Sequence, residues 1–385
     1  AEVNDLGIVQ YSSQYDYRLP STNSISALET FAATASFNAL AKWSEFAATR
    51  GIETFNVWVA MFMNDEVLAV YMLRQTAAFK DAALVRSRDA AKLAVCDVVV
   101  DVGGVYDVEK FRFDHHQRGF FETFSDKHKT KLSSAGLVYK HFGKEIIASE
   151  LDLKQEDKDV DTLYVKVYDD FIEALDGTDN GINQYPLELT PAYKDSTNLH
   201  SRVGRLNPWW NQKVTDTERD SRFQEVTLLA GNELTSRIRF LGLSWLPARS
   251  IVSSAFDTSD LLSRVVVLEQ PCPWSEHLLD VERERGITEE RNILYVLYPD
   301  DSNDSWRIQC VGKKAGGFDN RKSLPESWRG LRDDELSEIS KIPGCVFVHA
   351  GGFIGGTVHE ISRIHYCSLF RFSCLDLTNH ALVPS

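Results

Sequence analysis

The stretch VVVDVGGVYD at 98–107, followed by FRFDHHQRGF at 111–120, sets the frame for the whole chain. Its first half is a run of valines, Val98 to Val100, closed by Asp101 and then by Gly103 and Gly104. A β-branched run without polar alternation reads as a strand covered on both faces, the usual state of a parallel strand flanked by helices. The second half puts Asp114, His115 and His116 at the end of a second short strand-like run. In open α/β sheets ligands gather beyond the carboxyl ends of strands, and an Asp with two His there suits a divalent cation or a phosphate. Taken alone, the same residues also read as a polar loop with incidental histidines.

Working outward, strands are expected at 55–61, 83–86, 97–102 and 111–114, with helices at 65–80, 133–149 and 157–175. This alternation predicts a parallel sheet with helices on both faces. Asp65 opens a helix after the first strand, and Asp176 and Asp179 close one before Gly181. Together with Asp101 and His115, these element ends are placed to converge on one cleft. Residues 200–260 read as mainly helical, with a long polar helix near 215–241. A second β-containing region follows, with strands at 264–268, 293–298, 306–311 and 345–349. In it Gly351, Gly352, Gly355 and Gly356 make a glycine-rich turn read as entering a helix. At the other end, 1–20 is polar, and 21–51 reads as one helix with aromatic residues at helical spacing and a capping-box pair, Ser26 and Glu29. The expected organisation is an extension (1–53), a sheet domain (54–199), a helical connector (200–260) and a C-terminal domain (261–385).

A chain of 385 residues with 43% apolar side chains can bury a large core. Its net charge of −14, from 42 basic and 56 acidic residues, argues against a broad electrostatic nucleic-acid surface but leaves room for a small basic groove. The six cysteines form no CxxC pair, which suits reduced, buried thiols in a reducing compartment. No apolar run reaches the roughly 18 residues that a membrane span requires. The chain starts at Ala1, which fits a removed transit peptide and equally a trimmed N-terminus.

The two quoted stretches, with TKLSSAGLVYKHFG (130–143), DGTDNGI (176–182), RVGRLNPWWN (202–211), SWLPAR (244–249) and IPGCVFVHAGGFIGG (342–356), resemble the melanocyte proliferating gene family of DHH-like exonucleases. The resemblance spans about 54 to 356. It implies a DHH-type α/β domain with a smaller α/β C-terminal domain, metal-dependent 3′–5′ exonuclease activity on RNA, and nuclear and mitochondrial relatives. It places the family's catalytic positions at Asp114, His115 and His116, none of which is expected to be functional in this chain. It also implies a substrate-closing, phosphate-holding turn at Gly351, Gly352, Gly355 and Gly356.

One family motif is degraded. Where the family carries His-Asn-Gly-Thr-Phe-His-Cys-Asp-Glu, this chain reads WVAMFMNDE at 58–66, so Trp58 and Met63 stand at the two histidine positions. No shift of register supplies them, because all ten histidines lie at His115 or beyond. Indole has no lone pair for a hard cation, and a thioether is too soft for Mg²⁺ or Mn²⁺. No cofactor is expected; Asp65, Asp101, His115 and Asp179 remain for at most one residual divalent ion, Mn²⁺ or Mg²⁺. The expectation is a pseudoenzyme serving as a structural subunit of a larger mitochondrial (matrix-side) assembly, joined to protein partners through residues 1–53. The alternatives are a weakened one-metal RNA exonuclease and a non-cleaving RNA binder using Arg112, Arg118, Lys129, Lys131 and Arg205.

Overall fold

In the computed structural model, residues 62–259, 261–300 and 305–358 are described in full, and 54–57 as a backbone strand. The extension 1–53, and with it the helix expected at 21–51, lies outside the described residues, as does Trp58.

The first sheet contains β1 (Thr54–Val57), β2 (Ala83–Val85), β3 (Val98–Val100), β4 (Tyr106–Asp107) and β5 (Arg112–Phe113) in the order β2-β1-β3-β5-β4. Its pairings are parallel except β4 on β5. The central valines explain themselves. Val98, Val99 and Val100 are all buried although successive side chains point to opposite faces, so both faces of β3 are covered.

Helix α1 (Asn64–Arg74) follows β1, and α2 (Ala90–Val95) leads into β3. The remaining helices of this half are α3 (Ser134–Leu151), α4 (Lys158–Val167), α5 (Glu173–Asp179), α6 (Leu199–Gly204), α7 (Asp216–Phe240) and α8 (Leu246–Asp257). Helix α1 packs against α3 and α7 and is buried around most of its circumference through Val67, Leu68, Ala69, Val70, Met72 and Leu73. Gly231 of α7 allows the close crossing, since a Cβ there would lie 2.0 Å from the Tyr71 ring. The helix expected at 157–175 runs on to Asp179 through a π-helical turn, Tyr168–Ile172, that joins α4 to α5. Such turns rotate the residues beyond them. Helix α1 stops sooner than expected, because Gln75 and Thr76 turn back onto the carbonyls of Met72 and Leu73.

The second sheet has the order β6-β7-β8-β10-β9, from β6 (Val265–Val267), β7 (Tyr295–Pro299), β8 (Trp306–Cys310), β9 (Cys345–Val348) and β10 (Ile354–Thr357). Only β6 on β7 is parallel. Helices α9 (Ser275–Glu284) and α10 (Asp333–Ser340) belong to this half, which has its own apolar clusters around Tyr295 and Val296. The glycine-rich turn enters strand β10, not a helix. Gly355 and Gly356 pair with β8 on one side and β9 on the other, so two strand ladders satisfy their backbone, whereas adjacent glycines would disfavour a helix through their conformational entropy. Among the described residues, no helix is long and apolar enough to cross a membrane.

Candidate metal centre

The carboxyl ends of β3 and β5, the start of α1 and the end of α5 meet at one point. Asp101 follows β3 in a left-handed conformation, φ 57°, and its N–H donates to the Phe113 carbonyl. That turn aims its carboxylate away from the strand, where Ser134 Oγ donates to Oδ1 at 3.0 Å. Gly103 and Gly104 follow, both at positive φ, where a Cβ would be strained.

His115 brings Nε2 to 3.2 Å from Asp179 Oδ2 and 3.6 Å from Asp101 Oδ1. Asp65, in the first turn of α1, joins His115 and Asp179 in one group of donor atoms and joins Glu66 and Asp101 in a second. A third overlapping group contains Asp101, His115 and His116. All four expected cation ligands, Asp65, Asp101, His115 and Asp179, are therefore brought together. Glu66, not foreseen as a ligand, also faces the cluster. A one-residue offset along a helix normally turns side chains apart, and only the tertiary placement of Asp101 brings both carboxylates near it.

The polar atoms here lack ordinary partners. Both oxygens of Asp65, Oε2 of Glu66, both ring nitrogens of His115 and Oδ2 of Asp179 are buried without a hydrogen bond of good geometry. Buried polar groups in native proteins are rarely left so. The proton affinities follow. Burial, then the neighbouring Asp101 charge, raises Asp65 to about 7. Burial and Asp65 raise Asp179 to about 8. Burial raises Asp101 to about 6, against the lowering effect of His116. Glu66 is raised by burial and by Asp65. Burial and the His116 charge lower His115 to about 4, so its ring is neutral and has a lone pair to give. Three carboxylates and one neutral imidazole are a donor set for Mn²⁺ or Mg²⁺, and a cation would satisfy the orphaned atoms. The residues fit the ion.

Asp114 and His116 do different work. Asp114 is buried and accepts from Gly104 N–H at 2.6 Å, from His116 N–H at 3.0 Å and from His116 Nδ1 at 2.7 Å. Burial alone would raise its carboxyl, but these bonds hold it below the usual range. The bond from Asp114 in turn raises His116 to about 9, leaving an imidazolium whose side chain is 60% exposed beside the cation pocket. Asp114 is thus a clamp and not a ligand in this arrangement.

Asp176 is a support. Its carboxylate accepts from Ser133 N–H at 2.9 Å, Ser133 Oγ at 2.7 Å and Tyr168 Oη at 2.8 Å, which seats α5 on the start of α3 and positions Asp179. At Met63 the backbone N–H donates to Glu66 Oε1 at 2.5 Å, which closes the start of α1 with Met63 as its N-cap. A separate group, His128, Asp169 and Glu173, is satisfied internally by Ser125 and Thr130.

The glycine-rich turn takes no part in the Asp/His groups. Gly352, at φ 66°, donates to the His349 carbonyl, and Gly351 N–H donates to His349 Nδ1. Those two amides, expected to hold phosphate, are spent inside the turn. At Gly356 a Cβ would lie 2.4 Å from Arg307 Nη1, so glycine there answers to packing.

Against known proteins, residues 54–366 match the profile of MYG1_exonuc, described as an uncharacterised protein family (UPF0160). The MYG1 protein of Saccharomyces cerevisiae is 46% identical over 316 residues, covering 79% of this chain and 92% of that protein. The human MYG1 exonuclease is 47% identical over 304 residues, covering 77% of this chain and 79% of its own length. Among solved structures, RecJ of Thermus thermophilus in complex with Mn²⁺ overlaps 89% of this chain and 55% of that chain, at 12% identity and a TM-score of 0.25. That overlap is too slight to bear on the site. The assignment rests on the sequence matches, which put four-fifths of the chain within one family: it belongs to the MYG1 family.

Proposed function

We propose that this chain is a MYG1 family member that has lost exonuclease turnover, keeps one divalent-cation site, and serves as an accessory subunit of a larger assembly. The supporting observation is the absence of any histidine before His115. At the start of α1 the chain offers Met63, and Trp58 follows β1 in sequence, so neither position supplies an imidazole for a second ion. Exonuclease is the name that the human and other mammalian relatives carry, and hydrolysis with a cation pair needs both the attacking and the leaving oxygen stabilised.

The residues left have definable roles. Asp65, Asp101 and Asp179 would hold a cation by oxygen and His115 by Nε2. When bound, such an ion polarises a phosphate oxygen and lowers the pKa of a coordinated water. The His116 imidazolium, fixed by Asp114, supplies a positive N–H donor to a phosphate oxygen at the rim of the pocket. Ser134 orients Asp101, and Asp176 holds Asp179 in place. Each of these steps serves phosphate binding as well as hydrolysis. Loss of one cation removes several kcal/mol of transition-state stabilisation, and each 1.4 kcal/mol is about tenfold in rate.

The assembly role rests on residues 1–53, which precede the family match at 54 and carry an apolar helical pattern. A mitochondrial matrix setting accords with cysteines that form no CxxC pair. Manganese content by mass spectrometry, measured with cleavage of a 5′-labelled RNA, tests the proposal. One ion per chain and no cleavage is expected, and two ions with brisk trimming would overturn it. A trace of Mn²⁺-dependent cleavage abolished by Asp179→Asn would favour a weakened one-metal exonuclease, the reading supported by the completeness of the remaining ligand set. Deletion of 1–50 is expected to release the chain from its native complex.

A further inference from the structure

Outside the cation pocket, the loop between α6 and α7 carries two adjacent tryptophans, Trp209 at 72% and Trp210 at 96% exposure. Scattered exposed apolar side chains are ordinary, and Phe121 or Phe318 need no explanation. Two neighbouring indoles on a secured loop are different, because the loop is fixed at both ends. At its root the Asn207 amide makes two bonds with one residue: Oδ1 accepts the Phe62 N–H at 2.6 Å, and Nδ2 donates to the Phe62 carbonyl at 3.0 Å. Phe62 lies three positions before Asp65, so the root of the loop is clamped to the segment that delivers a cation ligand. Pro208 restricts the next φ. Beyond the tryptophans, Gln212 N–H donates to the Trp209 carbonyl at 2.9 Å, and Arg222 donates to the Gln212 side chain at 3.3 Å.

The charge of the loop says what it faces. Residues 202–213 contain Arg202, Arg205 and Lys213 and no acidic residue, within a chain of net charge −14. Arg202 is neutralised by Glu233, whereas Arg205 donates to a neutral partner, the Ser196 carbonyl, and Lys213 is exposed. Flat π faces beside uncompensated cations suit a polyanion that carries aromatic rings. Base-on-indole stacking with basic side chains along the backbone is how single strands are held without reading their sequence.

We propose that Trp209 and Trp210 form a stacking platform for consecutive bases of a single-stranded nucleic acid, with its backbone passing Arg205 and Lys213 on the way to the cation pocket. The direction of the strand rests on reading that pocket as a phosphodiester site; the platform itself does not. It gives the accessory subunit a ligand it grips without cutting.

Fluorescence anisotropy with short labelled oligouridylate and oligothymidylate, in EDTA, tests this. The wild-type chain should bind and its tryptophan emission should be quenched. The Trp209→Ala/Trp210→Ala variant should weaken binding by about tenfold or more, and Trp209→Phe/Trp210→Phe should retain most of it. Preference for one oligomer identifies RNA or DNA as the source. Unchanged affinity in the alanine variant, with its far-UV circular dichroism intact, would overturn the platform. So would a wild-type chain that binds neither oligomer while the alanine variant loses a protein partner, which would make the loop a protein interface. Cleavage of the oligomer on adding Mn²⁺ would sink the proposed loss of turnover and leave the platform standing.

Discussion

Asp179 Oδ2 lies 3.2 Å from His115 Nε2, although 64 positions of chain separate them (179 − 115), and neither atom has a hydrogen bond of good geometry. The pair joins the end of α5 to the loop after β5, and a cation between the two would convert an unsatisfied contact into coordination. Ion binding is therefore expected to act on stability. Mn²⁺ at a hundredfold excess over its Kd should stabilise the fold by about 2.7 kcal/mol, read as a rise in Tm by calorimetry. Asp179→Asn and His115→Ala should each remove that rise. A Tm indifferent to Mn²⁺ in the wild-type chain would count against the site.

The pH dependence of the metal-free chain follows from five raised carboxyls in and beside the cluster, Glu66 among them. Asp65 and Asp176 are raised to about 7, Asp101 to about 6 and Asp179 to about 8. A carboxyl whose folded pKa is raised favours the folded state when protonated, so its contribution is complete below about 4 and is lost as pH climbs through the folded value. His116, raised to about 9, acts in the same direction at higher pH. His115, lowered to about 4, opposes this, but only as pH falls below its ordinary value near 6.5. The urea midpoint in EDTA should accordingly fall between pH 6.5 and 8.5. Saturating Mn²⁺, which favours the ionised carboxylates, should flatten that slope. A midpoint that rises over this interval in EDTA would contradict the arrangement.

Gly136 is required by its neighbour. A Cβ at this position would sit 2.3 Å from Asp176 Oδ1, inside the hydrogen-bonded seat of α5. Gly136→Ala should destabilise the chain by about 1–3 kcal/mol, as overpacking commonly does, and should weaken Mn²⁺ binding by displacing Asp179. Chemical denaturation and titration calorimetry read the two effects separately. A variant of full stability and unchanged affinity would remove Asp176 from its supporting role.

Asp114 sets the charge of His116 through the 2.7 Å bond to Nδ1. In Asp114→Asn the bond loses its ionic partner, and the His116 titration followed by NMR should move from the alkaline side of neutrality toward the ordinary histidine value. Gly104 should loosen as well, since its N–H donates to the same carboxylate. A His116 titration unmoved by the substitution would place its charge elsewhere.

Restoring donors is the converse test. Trp58→His with Met63→His should add manganese to the chain if the pocket accepts it, detectable as an exchange-coupled pair by electron paramagnetic resonance. The single substitution Met63→His should do so only weakly, since one imidazole leaves the second ion short of ligands.

Much of this is legible in the sequence. The buried β3 follows from three successive valines, because a strand without polar alternation has no face to give to water. The family follows from its ordered motifs, and the four candidate cation ligands, which the fold brings together, from acidic and imidazole groups at element ends. That Trp58 and Met63 are poor donors for a hard cation follows from side-chain chemistry alone. Other features were decided in three dimensions. The glycine-rich turn reads as a helix entry in the sequence, yet Gly355 and Gly356 have strands on either side, and pairing partners remote in sequence leave no local signal. Asp114 reads as one of three catalytic groups in a row, but its burial against Gly104 and His116 makes it a clamp. Glu66 enters the cluster only because β3 brings Asp101 beside α1. Donor type is a property of each residue and can be read one position at a time. Which donors are buried together, and left without partners, depends on how separate elements pack, and that is settled only in the folded chain.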